Sequence, residues 1–496
     1  MGSPLLPLRA VADRLQEEGL LLGAIGLEDP LISGVTQDSR EVNPGDLFLC
    51  WRGVEHDAHH FLSDAAEAGA VAAVVERLRP DVDIPQLQVD NGRRGAAVAA
   101  DVVFGSPWRN LFLAGVTGTN GKTTTCVLAR HLLGERGPAR AIGTLGLVDD
   151  DGTVLPGTEG LTTPGPVQTT EWLRSMGDQG VRGAVLEASS HALAQYRLDG
   201  LRFDVAVFTN MGRDHLDYHP DQESYLAAKA RLLDLLKPKG WAVVNGMEEA
   251  WHHLPVPEGR TLTFGISDEA DLVARDLVLL ANGSRFSLRF GGEQVEVDLP
   301  LLGAFNVENA LAASGIALSA GLSLAETADG LNRAPPVAGR LEVVVAEPFT
   351  VLIDFAHTPD ALARILWTLR PLSAGRLLVV FGAGGDRDRG KRPEMGRVVS
   401  EGADLAFVTS DNPRTEDPEA IIDQVVAGMA WTSYHRVSDR RDAIRRALEV
   451  AEPGDMVLLA GKGHETYQTL GRYRVPFDER RIVRELLEEI GKGGAP

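Results

Sequence analysis

The residues best suited to chemistry lie in the segment Gly118-Thr-Asn-Gly-Lys-Thr-Thr124, between an apolar stretch and an apolar helical pattern. Glycines let several backbone N–H groups converge on phosphate oxygens, the lysine supplies positive charge, and the following hydroxyl can bind Mg²⁺. The general phosphate-loop pattern has a glycine five positions before Gly121, where this chain has Val116, so the loop is a variant. A strand, a loop and a helix are still predicted in the required order, which indicates a site for a nucleoside triphosphate. The predicted phosphate-binding residues are Gly118, Thr119, Asn120, Gly121, Lys122, Thr123 and Thr124.

Polar clusters follow two further predicted strands of the same region. Residues 184–186 lead into Glu187-Ala-Ser-Ser-His191, and residues 205–208 lead into a segment over 209–219 that contains two histidines and two aspartates. Beside a triphosphate, an acidic group and an imidazole suit Mg²⁺, which takes few protein ligands and keeps water and phosphate for the rest. Zinc is an alternative for the segment over 209–219, although no cysteine accompanies it, and a solvated polar loop is a third interpretation.

Lys229 lies in a pattern that predicts an amphipathic helix over residues 224–236. Taken alone, a lysine in such a helix is usually solvated at the surface, and composition gives no reason to assign it more.

Three polar segments follow predicted strands towards the C-terminus: residues 381–393, Asp411-Asn-Pro-Arg414 and Gly461-Lys-Gly-His-Glu465. Arginine suits a carboxylate through paired hydrogen bonds, and Glu465 can receive an ammonium group. Because three such segments follow strand ends of one predicted sheet, they indicate a second ligand.

Apolar strands alternate with helical patterns along the chain, which predicts an α/β fold of three domains. Residues 1–108 are expected to form a small N-terminal α/β domain. Residues 109–336 are expected to form a central domain with the phosphate loop, a mostly parallel sheet and an antiparallel excursion over 272–299. Ala334-Pro-Pro-Val337 predicts a hinge, and residues 337–496 then form a C-terminal Rossmann-like α/β domain. Ligands of parallel sheets gather at the C-terminal ends of strands, where the polar clusters are predicted. Other predicted strands cover residues 47–50, 70–75, 87–89, 350–353, 377–381, 405–408 and 456–460.

The composition is that of an ordinary globular protein, since 44% of the 496 residues are hydrophobic and 24% are charged. A formal net charge of −21 argues against a general affinity for nucleic acid or anionic membranes, both of which need a cationic surface. No apolar stretch approaches the ~20 residues that span a bilayer, and no secretory signal is evident. Cys50 and Cys126 form neither a metal nor a disulfide pattern. We therefore expect a cytoplasmic monomer without a nucleic-acid or membrane partner.

Together these motifs resemble the Mur ligases, and the resemblance covers essentially the whole chain. It is strongest with the members that add the third amino acid to UDP-N-acetylmuramoyl-L-alanyl-D-glutamate (UDP-MurNAc-L-Ala-D-Glu) in peptidoglycan synthesis, and it implies ATP and Mg²⁺ as cofactors. The reaction it implies passes through an acyl phosphate. The motifs that carry the resemblance are Gly118-Thr-Asn-Gly-Lys-Thr-Thr124, Glu187-Ala-Ser-Ser-His191, Asp214-His-Leu-Asp217, Asn306-Val-Glu-Asn309, Asp354-Phe-Ala-His-Thr-Pro359, Asp411-Asn-Pro-Arg414 and Gly461-Lys-Gly-His-Glu465.

Position by position, the resemblance implies roles for single residues. Lys229 matches a lysine that CO₂ carbamylates, which turns a cation into a carboxylate-like metal ligand. The implied catalytic residues are Lys122, Lys229, His215 and Arg340. The implied metal ligands are Thr123, Glu187, His215 and carbamylated Lys229. The implied nucleotide contacts beyond the loop are Asn306, Arg340, Asp354 and His357. The implied contacts to the UDP-muramoyl dipeptide are Ser39, Thr162, Thr163, Ser189, Gln195 and Arg197. The implied contacts to the incoming amino acid are Arg387, Asp411, Asn412, Pro413, Arg414, Gly461 and Glu465.

The chain departs from the family pattern at two places. Leu161 stands before Thr162 where the family commonly has asparagine, which predicts one missing substrate contact. Val54-Glu-His56 differs from the family's glutamine-containing segment, so the contacts to uridine stay unassigned.

The incoming amino acid is predicted from Arg414 and Glu465, which resemble the version of the pocket for meso-diaminopimelate. In that version an arginine binds the distal carboxylate and a glutamate binds the distal ammonium. L-Lysine or L-ornithine is the alternative, because neither carries a distal carboxylate and relatives that add them often replace the arginine. A folylpolyglutamate synthase-like ligase shares the variant loop but has no substantial N-terminal domain for a UDP-sugar. A non-catalytic P-loop switch is a further alternative, although such proteins usually end a strand in aspartate where this chain has Glu187.

Overall fold

The computed structural model describes residues 5–26, 28–53, 56–212, 214–215, 218–430 and 433–492. Part of two predicted motifs lies outside the described residues, namely Val54, Glu55, Leu216 and Asp217.

The described chain forms two compact units. The first unit reaches to Arg275 and adds Ser287–Val295 and Glu308–Leu331. The second unit contains Asp276–Phe286, Glu296–Val307 and the residues from Asn332 onwards.

A small α/β layer opens the first unit. Its elements are β1 (Leu6–Pro7), α1 (Leu8–Glu17), β2 (Leu21–Ile25), β3 (Leu31–Ile32), β4 (Gly34–Thr36), β5 (Asp46–Leu49), α2 (Leu62–Ala68), β6 (Ala72–Val75), β7 (Gln86–Val89) and α3 (Gly92–Val103). The main sheet has the order β2-β7-β6-β5-β4, in which β4 to β7 are parallel and β2 is antiparallel. Leu47 and Phe48 enter different apolar clusters, because successive strand residues point to opposite faces. The three strands predicted here are confirmed within two residues.

Asp101, near the end of α3, binds the segment that leads to the central sheet. Its Oδ2 accepts hydrogen bonds from Ser106 Oγ at 2.8 Å and from Trp108 Nε1 at 3.2 Å. Trp108 lies in a 3-10 turn over Pro107–Arg109. Asp101 is fully buried, and this burial raises the pKa of its carboxyl group to about 6.

Replacing Asp101 with asparagine is expected to remove a pH-dependent loss of stability. An unfolded aspartate has a pKa of about 3.9, so the folded chain binds more protons between about pH 4 and about pH 6. Stability therefore falls as the pH rises through this window, and the ionised group costs up to about 3 kcal/mol at neutral pH. The unfolding temperature of Asp101→Asn minus that of the unmodified chain should therefore increase as the pH rises through this window. The exposed control Asp83→Asn should show no trend, and a constant difference for Asp101→Asn would contradict the raised pKa.

The central sheet places the phosphate loop among neighbouring parallel strands. Its elements are β8 (Phe112–Thr117), α4 (Lys122–Leu133), β9 (Ala139–Gly143), β10 (Gly146–Val148), α5 (Pro166–Asp178), β11 (Gly183–Glu187), α6 (Ser190–Ala194), β12 (Phe203–Phe208), α7 (Gln222–Ala230), β13 (Leu236–Asn245) and β14 (Thr261–Gly265). The order is β10-β9-β11-β8-β12-β13-β14, and all pairs except β10–β9 are parallel. Because β11, β8 and β12 are neighbours, the polar clusters that follow them meet at one edge of the sheet.

Five elements over residues 272–332 contribute residues to both units. They are β15 (Leu272–Leu280), β16 (Gly283–Phe290), β17 (Glu293–Leu299), α8 (Ala304–Ser319) and α9 (Leu324–Asn332). The three strands occupy the stretch predicted as an antiparallel excursion, but β15 pairs with β14 in the parallel direction.

The predicted helix over residues 224–236 is wrong in its second half. α7 ends at Ala230, a 3-10 turn covers Arg231–Leu235, and β13 begins at Leu236. Leu232 and Leu235 are buried in the core of the central sheet, and the three-residue period of a 3-10 helix puts both on one face. The default expectation of a surface lysine is also wrong, since Lys229 is 1% exposed.

The second unit is built on a doubly wound sheet. Its further elements are β18 (Glu342–Val345), β19 (Thr350–Asp354), α10 (Pro359–Leu369), β20 (Leu377–Phe381), α11 (Lys391–Gly402), β21 (Leu405–Val408), α12 (Pro418–Val426), β22 (Tyr434–Arg436), α13 (Arg440–Val450), β23 (Met456–Ala460), β24 (Tyr467–Leu470), β25 (Tyr473–Pro476) and α14 (Glu479–Glu489). The order is β18-β19-β23-β20-β21-β22, and only β18 is antiparallel to its neighbour. Val379 packs with residues of α10, α11 and α12, whereas Leu378 packs with residues of α13 and α14. Helices therefore cover both faces, as predicted for a Rossmann-like domain.

Both cysteines are buried and neither forms a disulfide. Burial raises the pKa of the Cys50 thiol and of the Cys126 thiol, so both stay protonated. Across the ranges that the structure describes, none of the helices combines the length and the apolar character needed to cross a bilayer.

Candidate functional site

The predicted phosphate loop connects the end of β8 to the start of α4. Gly118 and Gly121 have φ angles of 146° and 87°, a region that side chains disfavour. A Cβ atom on Gly118 would collide with the Thr209 hydroxyl, and one on Gly121 would collide with the side-chain oxygen of Asn309. Both glycines are therefore required by space as well as by conformation. Because α4 begins at Lys122, the positive end of its helix dipole lies at the loop and favours an anion there.

Hydrogen bonds hold the loop in shape. Lys122 Nζ donates to the carbonyl oxygens of Gly118 and Thr119, both at 2.9 Å. The side-chain oxygen of Asn210, which follows β12, accepts a hydrogen bond from the Asn120 N–H at 2.9 Å. The lysine ammonium thus lies inside the loop that is expected to surround the phosphates.

Glu187 is the last residue of β11 and is 2% exposed. Its Oε1 accepts a hydrogen bond from the Thr144 N–H at 2.8 Å, and its Oε2 accepts one from Thr144 Oγ1 at 3.1 Å. Thr123 and Glu187 line the same small cavity, so a hydroxyl and a carboxylate stand together next to the phosphate loop. This pair of oxygen donors fits Mg²⁺.

The zinc alternative lacks a donor set in the part of the chain that the structure describes. No group of three or more histidine, cysteine or acidic side chains stands close enough there to hold a metal ion. His215 is exposed and has a φ angle of 54°. A structural zinc site needs four such ligands, whereas Mg²⁺ needs only one or two protein groups beside phosphate.

Tyr225, which the sequence analysis did not single out, links the phosphate loop to Lys229. Its hydroxyl oxygen lies 3.2 Å from Thr119 Oγ1, and its ring centroid lies 4.3 Å from Lys229 Nζ and 6.3 Å from the centroid of His215. Tyr225 and Lys229 are four residues apart on α7 and share one face of the helix, a spacing that was visible in the sequence. Burial lowers the pKa of Lys229 well below its usual value, and repulsion by Lys122 lowers it further.

Four of the residues implied for the muramoyl dipeptide form one hydrogen-bonded network. Thr163 Oγ1 donates to Ser189 Oγ at 3.0 Å, and Arg197 Nη1 donates to the Thr163 carbonyl at 2.7 Å. Arg197 Nη2 also donates to Gln195 Oε1 at 2.7 Å. Burial lowers the pKa of Arg197, and repulsion by the nearby Arg93 contributes. The mutual repulsion of the two arginines favours the binding of an anion near them, and Arg93 was missed by the sequence analysis.

Thr162 and Ser39 are placed differently from those four residues. Thr162 Oγ1 lies 3.1 Å from Thr144 Oγ1, which joins it to the neighbourhood of Glu187. Ser39 lies in a 3-10 turn over Ser39–Glu41, and the described residues contain no hydrogen bond between it and the network. Leu161, the departure from the family pattern, is 58% exposed.

The other implied nucleotide residues lie in the second unit. Asp354 ends β19, and its carboxylate accepts hydrogen bonds from two backbone N–H groups at 2.7 Å. Burial raises the pKa of Asp354 above its usual value, and attraction by the positive charge of Arg340 offsets part of this increase. The Arg340 guanidinium lies 4.9 Å from the Phe355 ring centroid, and the His357 ring lies 4.7 Å from the same centroid. Asn306 is buried in α8, where its amide donates to the Leu302 carbonyl at 2.9 Å.

The residues implied for the incoming amino acid follow β20, β21 and β23, which are consecutive in the second sheet. Asn412 Nδ2 donates to Glu465 Oε2 at 2.9 Å, and Arg414 Nη1 donates to the Gly385 carbonyl at 2.6 Å. Gly461 donates its N–H to the Asp354 carbonyl at 3.0 Å, which joins this cluster to the end of β19. A Cβ atom on Gly385 would collide with the Pro413 carbonyl, and Arg387 is exposed.

The backbone of Arg414 is held by the β24–β25 hairpin. Its N–H donates to the Thr469 carbonyl at 3.1 Å, and its carbonyl accepts from the Gly471 N–H at 2.7 Å. Arg414 has a φ angle of 51°, so the hairpin stabilises a backbone conformation that arginine rarely adopts. Burial lowers the pKa of Arg414, and repulsion by Arg387 adds to this effect.

The fold and these clusters define an α/β protein of several domains, with a phosphate-binding loop on one parallel sheet and polar strand ends on a second. Sequence profiles agree along the chain: residues 31–100 match the Mur ligase family catalytic domain, residues 116–317 match the Mur ligase middle domain, and residues 339–463 match the Mur ligase glutamate ligase domain. The chain belongs to the Mur ligase family.

Three relatives of the chain share the name of one particular ligase of this family. The chain is 40% identical over 475 residues to the UDP-N-acetylmuramoyl-L-alanyl-D-glutamate--2,6-diaminopimelate ligase of Bacillus licheniformis, covering 94% of this chain and 96% of the relative. It is 42% identical over 491 residues to the ligase of the same name from Gloeobacter violaceus, covering 96% and 99%. A solved structure of a ligase of that name superposes with a TM-score of 0.68 at 34% identity, covering 94% of this chain and 97% of the other.

Proposed function

We propose that this chain is an ATP-dependent amide ligase that joins meso-diaminopimelate to UDP-N-acetylmuramoyl-L-alanyl-D-glutamate in peptidoglycan synthesis. The names of the relatives support the reaction. The observation that carries the choice of amino acid is that Arg414 and Glu465 both follow strands of one sheet, and that Asn412, two residues before Arg414, donates a hydrogen bond to Glu465. An arginine suits the distal carboxylate of a diamino diacid, and a glutamate suits its distal ammonium.

The proposed reaction has two steps. A side-chain carboxylate oxygen of D-glutamate attacks the γ-phosphorus of ATP, the bond to the β-phosphate oxygen breaks, and ADP leaves. The amino group of diaminopimelate then attacks the acyl carbon, a C–N bond forms, a proton is lost, and phosphate leaves the tetrahedral intermediate. We assign Lys122 and Arg340 to charge stabilisation on the transferring phosphoryl group, and Asn306, Asp354 and His357 to the nucleotide. Catalysis is then chiefly positioning and electrostatics.

We assign Thr123, Glu187 and His215 to a Mg²⁺ ion, which neutralises phosphate charge when bound. Lys229 is assigned as a carbamate: its neutral Nζ attacks CO₂, a C–N bond forms and one proton is released, leaving a carboxylate. The burial of Lys229 beside Tyr225, whose hydroxyl lies next to Thr119 of the phosphate loop, supports this step, because a buried amine is held uncharged and nucleophilic.

The remaining assignments follow the three sequence regions. Residues 1–108 are proposed to bind the UDP-muramoyl part of the substrate, residues 109–336 to bind ATP, and residues 337–496 to bind the amino acid. Ser39, Thr162, Thr163, Ser189, Gln195 and Arg197 are proposed to contact UDP-MurNAc-L-Ala-D-Glu. The proposal includes a cytoplasmic location and a monomeric state.

ADP release measured with each substrate omitted in turn tests the function. We expect release only when UDP-muramoyl dipeptide and an amino acid are both present, with meso-diaminopimelate used better than L-lysine or L-ornithine. ADP release that depends on neither the UDP-muramoyl dipeptide nor the amino acid would contradict the ligase assignment and would fit a P-loop switch. Release supported by a folate acceptor would instead fit a folylpolyglutamate synthase.

Replacing Arg414 with alanine is expected to lower kcat/KM for diaminopimelate by about 100-fold or more, because a charged partner for the distal carboxylate is lost. The KM for ATP should change by less than about threefold, since Arg414 is not assigned to the nucleotide. Arg472→Ala is the matched control, because Arg472 is exposed in the turn between β24 and β25. Turnover of diaminopimelate at the unmodified rate by Arg414→Ala would remove the basis for this specificity.

A further inference from the structure

Lys462 lies behind the amino-acid contacts and has no role in the proposed reaction so far. Its side chain is 0% exposed, whereas the side chains of Asp411 and Glu465 are 8% and 17% exposed. Lys462 Nζ donates to Glu465 Oε2 at 3.1 Å and to Asn412 Oδ1 at 3.2 Å, and it lies 3.7 Å from Asp411 Oδ1. The ammonium therefore sits between two carboxylates and does not itself face a ligand.

The surroundings of Lys462 keep these charges strongly coupled. The ring centroids of Tyr467 and Phe477 lie 5.9 and 6.0 Å from Nζ. The Thr469 N–H donates to Asn412 Oδ1 at 2.9 Å and fixes the amide that bridges to Glu465. Charges enclosed in this way are little screened by salt or water, so each one changes the affinity of the cluster for a charged ligand.

The buried part of the cluster contains two carboxylates, Asp411 and Glu465, and the Lys462 ammonium, and the half-buried Arg414 guanidinium attracts both carboxylates as well. Asp411 Oδ1 is buried and accepts no hydrogen bond from any described residue. Glu465 Oε2 accepts hydrogen bonds from both Lys462 and Asn412. If Arg414 is engaged by a ligand carboxylate, Lys462 is the cation left to compensate Asp411 and Glu465.

We propose that Lys462 is a specificity-determining positioning residue that acts through Glu465 and Asp411. By compensating one carboxylate, it limits the attraction of the cluster for an isolated ammonium group. An amino acid then binds well only if it also brings a carboxylate to Arg414, which a diamino diacid does and L-lysine does not. This inference rests on the proposed function and deepens it.

The test compares kcat/KM for meso-diaminopimelate with kcat/KM for L-lysine in Lys462→Met and in Lys462→Arg. In Lys462→Met the preference for diaminopimelate should fall by about tenfold or more, mainly through a lower KM for L-lysine, because two carboxylates are left uncompensated. Lys462→Arg keeps the positive charge, so its preference should stay within about threefold of the unmodified enzyme. Thermal unfolding and ADP affinity report whether each variant is folded, and an unchanged preference in folded Lys462→Met would overturn the inference.

Asp411→Asn tests the same charge balance by neutralising a carboxylate, while Lys462 stays unchanged. It removes one of the two negative charges that Lys462 compensates, so the preference for diaminopimelate over L-lysine should rise by about threefold or more. A lower or unchanged preference would overturn the inference even if Lys462→Met does not fold. Failure of the unmodified enzyme to consume diaminopimelate would instead contradict the proposed function, so the two failures are distinguishable.

Discussion

Replacing Lys122 with methionine is expected to lower kcat for ADP release by about 1,000-fold or more. The Lys122 ammonium lies within the phosphate loop, 2.9 Å from the carbonyl oxygens of Gly118 and Thr119. Its charge acts on phosphoryl oxygens whose negative charge is redistributed in the transition state, so its loss should affect kcat more than nucleotide binding. Methionine keeps the length of the side chain and is a good helix former, which preserves the start of α4. Steady-state ADP release at saturating substrates measures the effect.

Lys239→Met is the matched control for this substitution. Lys239 is exposed on β13 and carries the same charge, so its replacement changes the net charge of the chain without touching the loop. Its kcat should stay within about twofold of the unmodified enzyme. A kcat for Lys122→Met of the same size as that of Lys239→Met would show that the loop lysine is not needed for phosphoryl transfer.

Replacing Lys229 with alanine is expected to lower kcat by about 100-fold or more, because the variant cannot form the carboxylate assigned to the metal site. Added formate or acetate should restore part of the activity, since a small carboxylate can enter the space left next to Tyr225. Activity measured as a function of acetate concentration gives the rescue. Preparing the unmodified enzyme without CO₂ should also lower its activity, and bicarbonate should restore it.

The structural effect of the same substitution must be separated from its chemical effect. Lys229 is buried, so alanine leaves a cavity that destabilises the fold by about 2–5 kcal/mol. Thermal unfolding reports this loss, and acetate should not reverse it. Full activity of a folded Lys229→Ala variant without any added carboxylate would make the lysine incidental to the reaction.

The inner strands of the second sheet were predictable because their residues are buried on both faces, whereas the more exposed edge strands β18 and β22 were not predicted. β20, β21 and β23 have the bounds expected from their continuous apolar runs, which is typical of parallel strands covered by helices. The order of those strands was not readable from the sequence. It follows from crossovers between distant segments, and it is what brings residues 411–414 near residues 461–465.

The features that the sequence did not reveal depend on tertiary neighbours. In the sequence, Tyr225 is indistinguishable from the other apolar residues of α7. Only the structure shows that its hydroxyl lies beside Thr119. The end of α7 at Ala230 is set by packing of Leu232 and Leu235 on the central sheet, which overrides helical periodicity. The roles implied by resemblance stay predictions for single residues, although most of them fall into three clusters. Ser39 and Thr162 stand outside the network that contains Thr163 and Arg197.

The enclosed state of Cys50 and Cys126 has a practical consequence for spectroscopy. Maleimides and methanethiosulfonates react with thiolates, and both native thiols are kept protonated and out of reach of solvent. A single cysteine introduced at an exposed position, such as Lys239→Cys, therefore accepts a fluorophore or a spin probe in an otherwise unmutated background.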